Sequence, residues 1–453
     1  MKIPNTQEQT MIRDLGDGLV LRRSTLQDAQ ALADFNATIH SDDGPEKPDD
    51  KLAAWTFDLL TRPHPTFDVG DFTIVEDTTN GRIVSSLNLI SQTWSYAGIK
   101  FKVGRPELVG THPDYRNRGL VRAQFDLVHQ WSAERGELVQ AITGIPYYYR
   151  QFGYEMTMNL GGGRLGYLPH VPRLSENEQE AYVIRPAGLD DLPLIISLYD
   201  LGCQRSLVSC VWAEQEWRYE LSGKSQNNVN RSELRIIETP AGEAVGFLAH
   251  SFFNWANGVT LPLSLYELKP GVSWAAVTPS VIRYLKTTGE ANAKQLGKEL
   301  FGAFGFWLGE SHPAYLVIKE RLPRVRKPYA WYLRLPDLPG FLRLISPLME
   351  TRLKDLAYAG HTGELKLSFY RNGVQLSFEQ GRITAIQPWT PTPFGHSGDA
   401  GFPGLTFLQL VFGYRSFEEL DDSFADCWSD NDEAFGLLSV LFPRKPSNVW
   451  PIA

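Results

Sequence analysis

Cysteine is scarce: three thiols in 453 residues cannot form a disulfide framework. Cys203, Cys210 and Cys427 lack zinc-site spacing, and nine scattered histidines imply no metal. Basic charge is also in deficit. With 44 Lys and Arg against 52 Asp and Glu, the net charge is −8, which argues against general nucleic-acid binding, since that needs a basic face. The same charge is compatible with a cationic acceptor such as an amine. No uninterrupted apolar run is long enough to span a bilayer. Residues 1–18 are polar and carry no signal-like apolar segment. The expectation is a cytoplasmic protein with neither a membrane nor a nucleic-acid partner.

Apolar residues make up 43% of the chain and charged residues 21%, enough for several cores and two to four domains. The stretch around which the chemistry is organised runs from Val109 to Arg122. Glu107 to His112 reads as a strand, with β-branched Val109 and Thr111, stopped by Pro113. From Leu120 the apolar residues Leu120, Ala123, Leu127, Val128 and Trp131 fall at helical spacing. Between them lies a basic turn, Arg116-Asn117-Arg118-Gly119. A helix start offers unpaired N–H groups and partial positive charge. Gly119 permits close approach to the main chain, and Arg116, Arg118 and Arg122 add charge, a combination suited to a pyrophosphate. A basic turn capping an ordinary amphipathic helix would share this local pattern. Neither G-x-x-x-x-G-K-[ST] nor a G-x-G-x-x-G after a strand is present.

Strand, basic turn and helix resemble the coenzyme A loop of the GNAT N-acetyltransferase superfamily, whose pattern is [Arg/Gln]-x-x-Gly-x-[Gly/Ala]. Arg116-Asn117-Arg118-Gly119-Leu120-Val121 departs only at Val121, which replaces a small residue. Downstream, Tyr149-Arg150-Gln151-Phe152-Gly153-Tyr154 resembles the GNAT ending Tyr-x-x-x-Gly-[Phe/Tyr]. The resemblance implies that Val109, Gly110, Thr111, Arg116, Asn117, Arg118, Gly119, Leu120, Val121 and Arg122 bind acetyl-CoA, and that Tyr149 is the general acid. Tyr147, Tyr148 and Tyr154 read as aromatic core.

Strands are predicted at 19–22, 72–75, 83–89 and 99–103, with a hairpin at Asn80-Gly81. Helices are predicted from a capping-box start at Ser24-Thr25-Leu26-Gln27 through about 36, and over 52–60. A further strand is predicted over 138–143. Residues 169–180 read as a linker. Beyond it, Tyr182-Val183-Ile184-Arg185 through Asp191 echoes Leu19-Val20-Leu21-Arg22 through Asp28, which suggests a duplicated domain. The second copy has no Arg-x-x-Gly in the matching region 269–274. After Leu335-Pro336, a helix, a β-hairpin around Asn372-Gly373 and two further helices suggest an α+β unit whose core closes near Phe442.

This order is similar to the "enhanced intracellular survival" (Eis-like) subgroup of GNAT proteins. The resemblance implies an α+β/α-β chain with two tandem GNAT folds, the second degenerate, and a sterol-carrier-protein-like α+β domain. The expected boundaries are 1–168 for the catalytic domain, 181–335 for the degenerate copy and 336–453 for the last. It also implies a homo-oligomer, a hexamer by resemblance, and transfer of the acetyl group of acetyl-CoA to a primary amine. An aminoglycoside-like, polyamine-like or lysine amine would serve as acceptor. It offers the terminal carboxylate of Ala453 as the base, on a tail stiffened by Pro446 and Pro451; a frayed end is the competing expectation. Asp42, Asp43, Glu46 and Trp55 would border the acceptor, though a solvated acidic loop and a core tryptophan explain each singly. The alternative function is a non-catalytic acyl-CoA-binding or lipid-carrying protein.

Overall fold

The computed structural model describes residues 11–453 except 146, 257, 296, 298, 299 and 393–396. The polar segment 1–10 lies outside the described residues.

The first part of the chain contributes β1 (Met11–Gly16), β2 (Leu19–Arg23), α1 (Ala29–Ile39), α2 (Asp50–Thr61), β3 (Phe72–Asp77), β4 (Arg82–Tyr96), β5 (Ile99–Thr111), α3 (Leu120–Glu134), β6 (Val139–Ile142), β7 (Glu155–Leu160) and β8 (Gly163–Tyr167). The second contributes β9 (Val183–Pro186), α4 (Leu192–Cys203), β10 (Val208–Cys210), α5 (Glu214–Arg218), β11 (Ser232–Glu238), β12 (Ala244–Ser251), β13 (Thr260–Leu268), α6 (Trp274–Gln295), β14 (Ala303–Phe306), α7 (Ala314–Val317), β15 (Arg324–Arg326) and β16 (Tyr329–Arg334). The last holds α8 (Leu338–Asp355), the meander β17 (Gly363–Ser368), β18 (Gly373–Glu379) and β19 (Arg382–Trp389), then β20 (Ala400–Gly401), α9 (Phe407–Val411), α10 (Phe417–Ser423), β21 (Trp428–Ser429) and α11 (Asp432–Leu441).

Three mixed α/β layers result. In the first sheet β2-β3-β4-β5-β6 lie in order, antiparallel until the parallel β5–β6 pair. In the second, β9-β11-β12-β13-β14 repeat that order, again with a parallel last pair. The repeat extends to side chains. Arg22 grips Asp28 and Glu76 at 2.7 Å each, and Arg185 grips Asp191 and Glu238 at 2.7 Å each. In both copies the aspartate also receives a backbone N–H at the helix entry, from Thr25 and from Gly188. The capping interaction is therefore centred on Thr25 and Asp28, one residue later than Ser24 and Gln27 suggest.

Sheet membership does not follow sequence order. β16 inserts between β6 and β7 of the first sheet, β8 pairs with β14 and β15 of the second, and β10 pairs with β4. One apolar core accordingly runs through all three layers, joining Trp94 and Trp331 to Ile236 and Phe247 and to Leu365 and Phe402. That core does not close at Phe442. Val449 and Ile452 are buried in it, because residues 446–453 fold back over the seam between the first two sheets. Trp450 stacks on Trp212 with centroids 4.3 Å apart.

The two strands expected at 99–103 and 107–112 are one strand, β5, bent by a bulge. The β4–β5 register shifts between Ser86 and Asn88, and Leu108 takes φ 52°. β6 pairs with β5 only at Val103–Val139 and Gly104–Gln140. Past Gly104 the two strands diverge and leave a wedge beside Val109–Thr111.

Candidate active site

The wedge leads into a cavity of about 640 Å³. One wall is Val109, Gly110 and Thr111, and the floor of the basic turn supplies every residue from Arg116 to Arg122. Gly119 is the N-cap of α3, with φ 74° and no side chain to cap the helix. Its first-turn N–H groups therefore remain available to a ligand. A Cβ on Gly119 would meet nothing within 4 Å, so the approach is open. Asn117 also takes a positive φ, 63°, which asparagine tolerates. The arginines are anchored by their stems and neighbours while their charges stay at the surface. Arg116 Nε donates to the Thr111 carbonyl at 3.4 Å, Arg118 lies over the Tyr115 ring, and Arg122 donates to Gln151 at 2.9 Å.

The opposite wall carries Tyr148, Tyr149, Gln151 and Phe152. Tyr149 sits in a short 3₁₀ turn, Tyr148–Phe152, and is buried against Phe125, Tyr148, Tyr154 and Tyr332. Burial raises its pKa well above the ordinary phenol value, and the nearby charge of Glu107 adds to the effect. Its hydroxyl is thus fully protonated at neutral pH. Gly144, at φ 123°, keeps space beside it: a Cβ there would lie 3.4 Å from the Tyr149 hydroxyl.

Two groups near Tyr149, one lining the cavity and one acting through its charge, escape a reading by sequence neighbourhood. His40, just past α1, lines the cavity with a buried Nε2 that has no hydrogen-bond partner. A Cβ on Gly110 would come within 3.3 Å of that nitrogen. Burial lowers the His40 pKa, outweighing the favourable Leu108 carbonyl. Glu107, one residue before the bulge, accepts from Arg105 Nη2 at 2.5 Å. Neither lies near Tyr149 in the chain, and only the packing of α1 and the reach of β5 bring them there.

The match to known proteins follows this geometry. Residues 22–157 match the family described as acetyltransferase (GNAT) domain. The chain carries a GNAT domain. Its full length is similar in fold to a GCN5-related N-acetyltransferase from Kribbella flavida (17% identity, 96% of this chain and 100% of that one, TM-score 0.62). A GCN5-related N-acetyltransferase from Anabaena variabilis gives 13% identity, 95% and 99% coverage and a TM-score of 0.60. Eis1 from Mycobacterium abscessus gives 12%, 95% and 99%, and 0.56, so the fold is Eis-like over nearly its whole length. No curated protein sequence matches the chain.

Within the GNAT domain, the expected coenzyme residues and Tyr149 meet in one cavity, whereas the expected acceptor residues do not join them. Asp42, Asp43 and Glu46 are exposed in the loop after α1, away from the cavity lining, and Asp43 pairs with Lys47. Trp55 is buried under α2, in a cluster with Leu108 and Ala453. Ala453 lines a second, smaller cavity together with Arg105. The two cavities thus flank the same strand, β5. Acetyl-CoA fits the first: an uncapped helix start, an open glycine, three arginines and a wedge beside an unpaired strand edge meet its phosphates and its arm. Among the described residues no helix is long and apolar enough to cross a membrane, and no cluster of three metal-ligating side chains occurs.

Proposed function

We propose that this protein is an acetyl-CoA-dependent N-acetyltransferase acting on a primary amine. The observation that carries this reading is the convergence of Arg116–Arg122, Val109–Thr111 and Tyr149 on one cavity at the splayed β5–β6 edge. Acetyl-CoA supplies the activated acetyl thioester. The first-turn N–H groups of α3 bind its pyrophosphate, and the backbone of Val109–Thr111 pairs with its arm. N–H groups at that edge are preorganised for an acyl oxygen, usually the largest catalytic contribution. Tyr149 holds a proton at its hydroxyl and releases it to the departing sulfur. The carboxylate of Ala453, beside Trp55 and Leu108, accepts the proton of the amine.

The reading extends to architecture. The second sheet is a degenerate GNAT copy, since its turn 269–273 lacks the basic glycine pattern. The last layer, 336–453, is a sterol-carrier-like unit. Its interior is filled by Phe402, Phe407 and Leu410, which favours packing over carriage of a lipid. The assembly is a cytoplasmic homo-oligomer, which sedimentation tests.

Free thiol release from acetyl-CoA, measured with a panel of polyamines, aminoglycosides and lysine peptides, tests the activity. Amine-dependent release that Tyr149→Phe suppresses supports it. Tight acetyl-CoA binding with no release against any amine favours a non-catalytic acyl-CoA-binding protein.

A further inference from the structure

Arg105 and Glu107 lie two residues apart on β5, on one face of the strand, and pair at 2.5 Å with little of either side chain exposed. Each acts on one of the two groups that move a proton in the proposed reaction. Arg105 lines the same cavity as Ala453, and its Nη1 donates to the carbonyl of Ile452 at 3.0 Å, one peptide before the terminal carboxylate. The charge of Glu107 bears on Tyr149 in the coenzyme cavity and opposes loss of the phenolic proton.

The other ions around Ala453 are held differently. Lys224 is tied to Glu220 and donates to the Asn230 carbonyl at 2.9 Å, and Arg231 lies 3.4 Å from Glu233. Among the described residues neither donates to the tail. Gln92 does, at 2.7 Å to the Ile452 carbonyl, but it is neutral. Around Tyr149 the other titratable neighbours are Tyr148, Tyr154 and Tyr329, so Glu107 is the carboxylate that bears on it. One ion pair therefore links the end of the chain to the phenol.

We propose that the Arg105–Glu107 pair positions the base and the acid together: Arg105 fixes the terminal carboxylate at the amine, and Glu107 fixes Arg105 and keeps Tyr149 the proton donor. The proposal rests on the transferase reading. In that reaction the amine nitrogen bonds to the acetyl carbon as the carbon–sulfur bond breaks. The amine's proton passes to the Ala453 carboxylate, and the Tyr149 proton passes to the sulfur. A cation beside the base favours its ionised form, and an anion beside the acid favours its neutral form. Each group is thus in the protonation state that its role requires before the reaction begins. Arg105 and Glu107 are positioning residues; neither touches the reacting atoms.

The test uses the full chain. Arg105→Gln removes the cation, and Glu107→Gln removes the anion while keeping an acceptor for Arg105 Nη2. kcat is measured from pH 4.5 to 9 with the best amine of the polyamine, aminoglycoside and lysine-peptide panel. The two charges act on one carboxylate with opposite sign. The acid limb of kcat is therefore expected to move up by at least about half a pH unit in Arg105→Gln and down in Glu107→Gln. A clamp with only a structural role would lower kcat without moving the limb in opposite directions. Plateau kcat in Arg105→Gln is expected to fall at least about tenfold, with acetyl-CoA affinity within about twofold by calorimetry. With three glycines appended to Ala453, the carboxylate is already displaced, and Arg105→Gln is expected to lower kcat by less than about twofold more. Thermal melts report folding, and if Arg105→Gln does not fold, the limb of Glu107→Gln decides alone. Limbs that stay in place or move the same way overturn the proposal, as does the full Arg105→Gln loss in the glycine-extended protein. Thiol release by the unaltered protein with unmoved limbs leaves the transferase reading standing and removes the pair. No release with any amine overturns both.

Discussion

Arg105 Nη1 donates to the carbonyl of Ile452 at 3.0 Å, and Gln92 Nε2 donates to the same oxygen at 2.7 Å. Two neighbouring strands of the GNAT domain thus clamp the end of the chain, with Ile452 buried and Ala453 only 7% exposed. A frayed tail does not describe this arrangement. Appending three glycines to Ala453 moves its carboxylate and is expected to lower kcat heavily, whereas Ala453→Gly leaves the charge in place and costs little. Because Val449, Trp450 and Ile452 pack into the shared core, deleting residues 447–453 is expected to destabilise the fold, at about 2–5 kcal/mol for each large side chain removed. Parallel activity assays and melts decide: full activity in the glycine-extended protein removes Ala453 from the mechanism.

Gly119→Glu places a negative charge at the start of α3, in open space and beside the arginines that would receive phosphate. Acetyl-CoA binding is expected to vanish. The left-handed φ of 74° adds a strain of about 1 kcal/mol, small enough for a folded protein. Calorimetry showing unchanged acetyl-CoA affinity would remove the turn from the cofactor site.

Tyr149→Phe keeps the packing against Phe125 and Tyr332 and removes only the hydroxyl. With general-acid contributions of roughly 10²–10⁴ as a guide, kcat is expected to fall by one to three orders of magnitude. Acetyl-CoA affinity is expected to stay within about twofold, since the ring supplies the wall. Wild-type kcat on an amine whose chemistry is rate-limiting would exclude Tyr149 as the acid.

Local signals made the basic turn and Tyr149 legible. Strand, Pro113, Gly119 and the helical stripe from Leu120 lie within one short stretch, and each is set by its own backbone chemistry. The duplicated Arg22 and Arg185 corners were legible for the same reason. What depends on distant contacts was not. The bulge at Leu108 carries no glycine to mark it, so β5 read as two strands. The insertion of β16 between β6 and β7 depends on pairing with residues almost two hundred positions away, which no periodicity encodes. His40 lines the cavity, and Glu107 acts on Tyr149, only once α1 and β5 are packed.

The two arginine corners are chemically alike but differently buried. Arg22 and its partners Asp28 and Glu76 expose 11–12% of their side chains, while Arg185 is 38% exposed. Removing one partner of a buried set strands the remaining charges, at about 3–5 kcal/mol. The exposed set is screened and is worth about 1 kcal/mol or less. Arg22→Met is therefore expected to lower stability by several kcal/mol and Arg185→Met by much less, measured in urea. Equal losses would mean that burial does not set the difference.

Acid lability is expected to come from buried neutral histidines. Burial pushes the pKa of His64 and His129 down to about 3 and that of His250 to about 4, with Lys224, Arg334 and Arg235 respectively adding to the depression. In the unfolded chain each returns to about 6.5. Between about pH 6.5 and 4 the unfolded state therefore binds more protons, so stability rises with pH across that window and is lost as pH falls. Each histidine contributes a slope of about 1.4 kcal/mol per pH unit, or about 4 for the three together. Asp71 and Glu137, raised by burial, act in the opposite sense below their own folded values. His250 Nε2 meets the Tyr284 hydroxyl at 2.8 Å, so His250→Gln keeps a polar partner while deleting one titration. Urea melts at pH 5, 6 and 7 are expected to show a slope shallower in that variant by about 1.2 kcal/mol per unit between pH 5 and 6 and by about half that between pH 6 and 7, where the unfolded histidine is only partly protonated. An unchanged slope would mean that His250 is already protonated in the folded protein at pH 6.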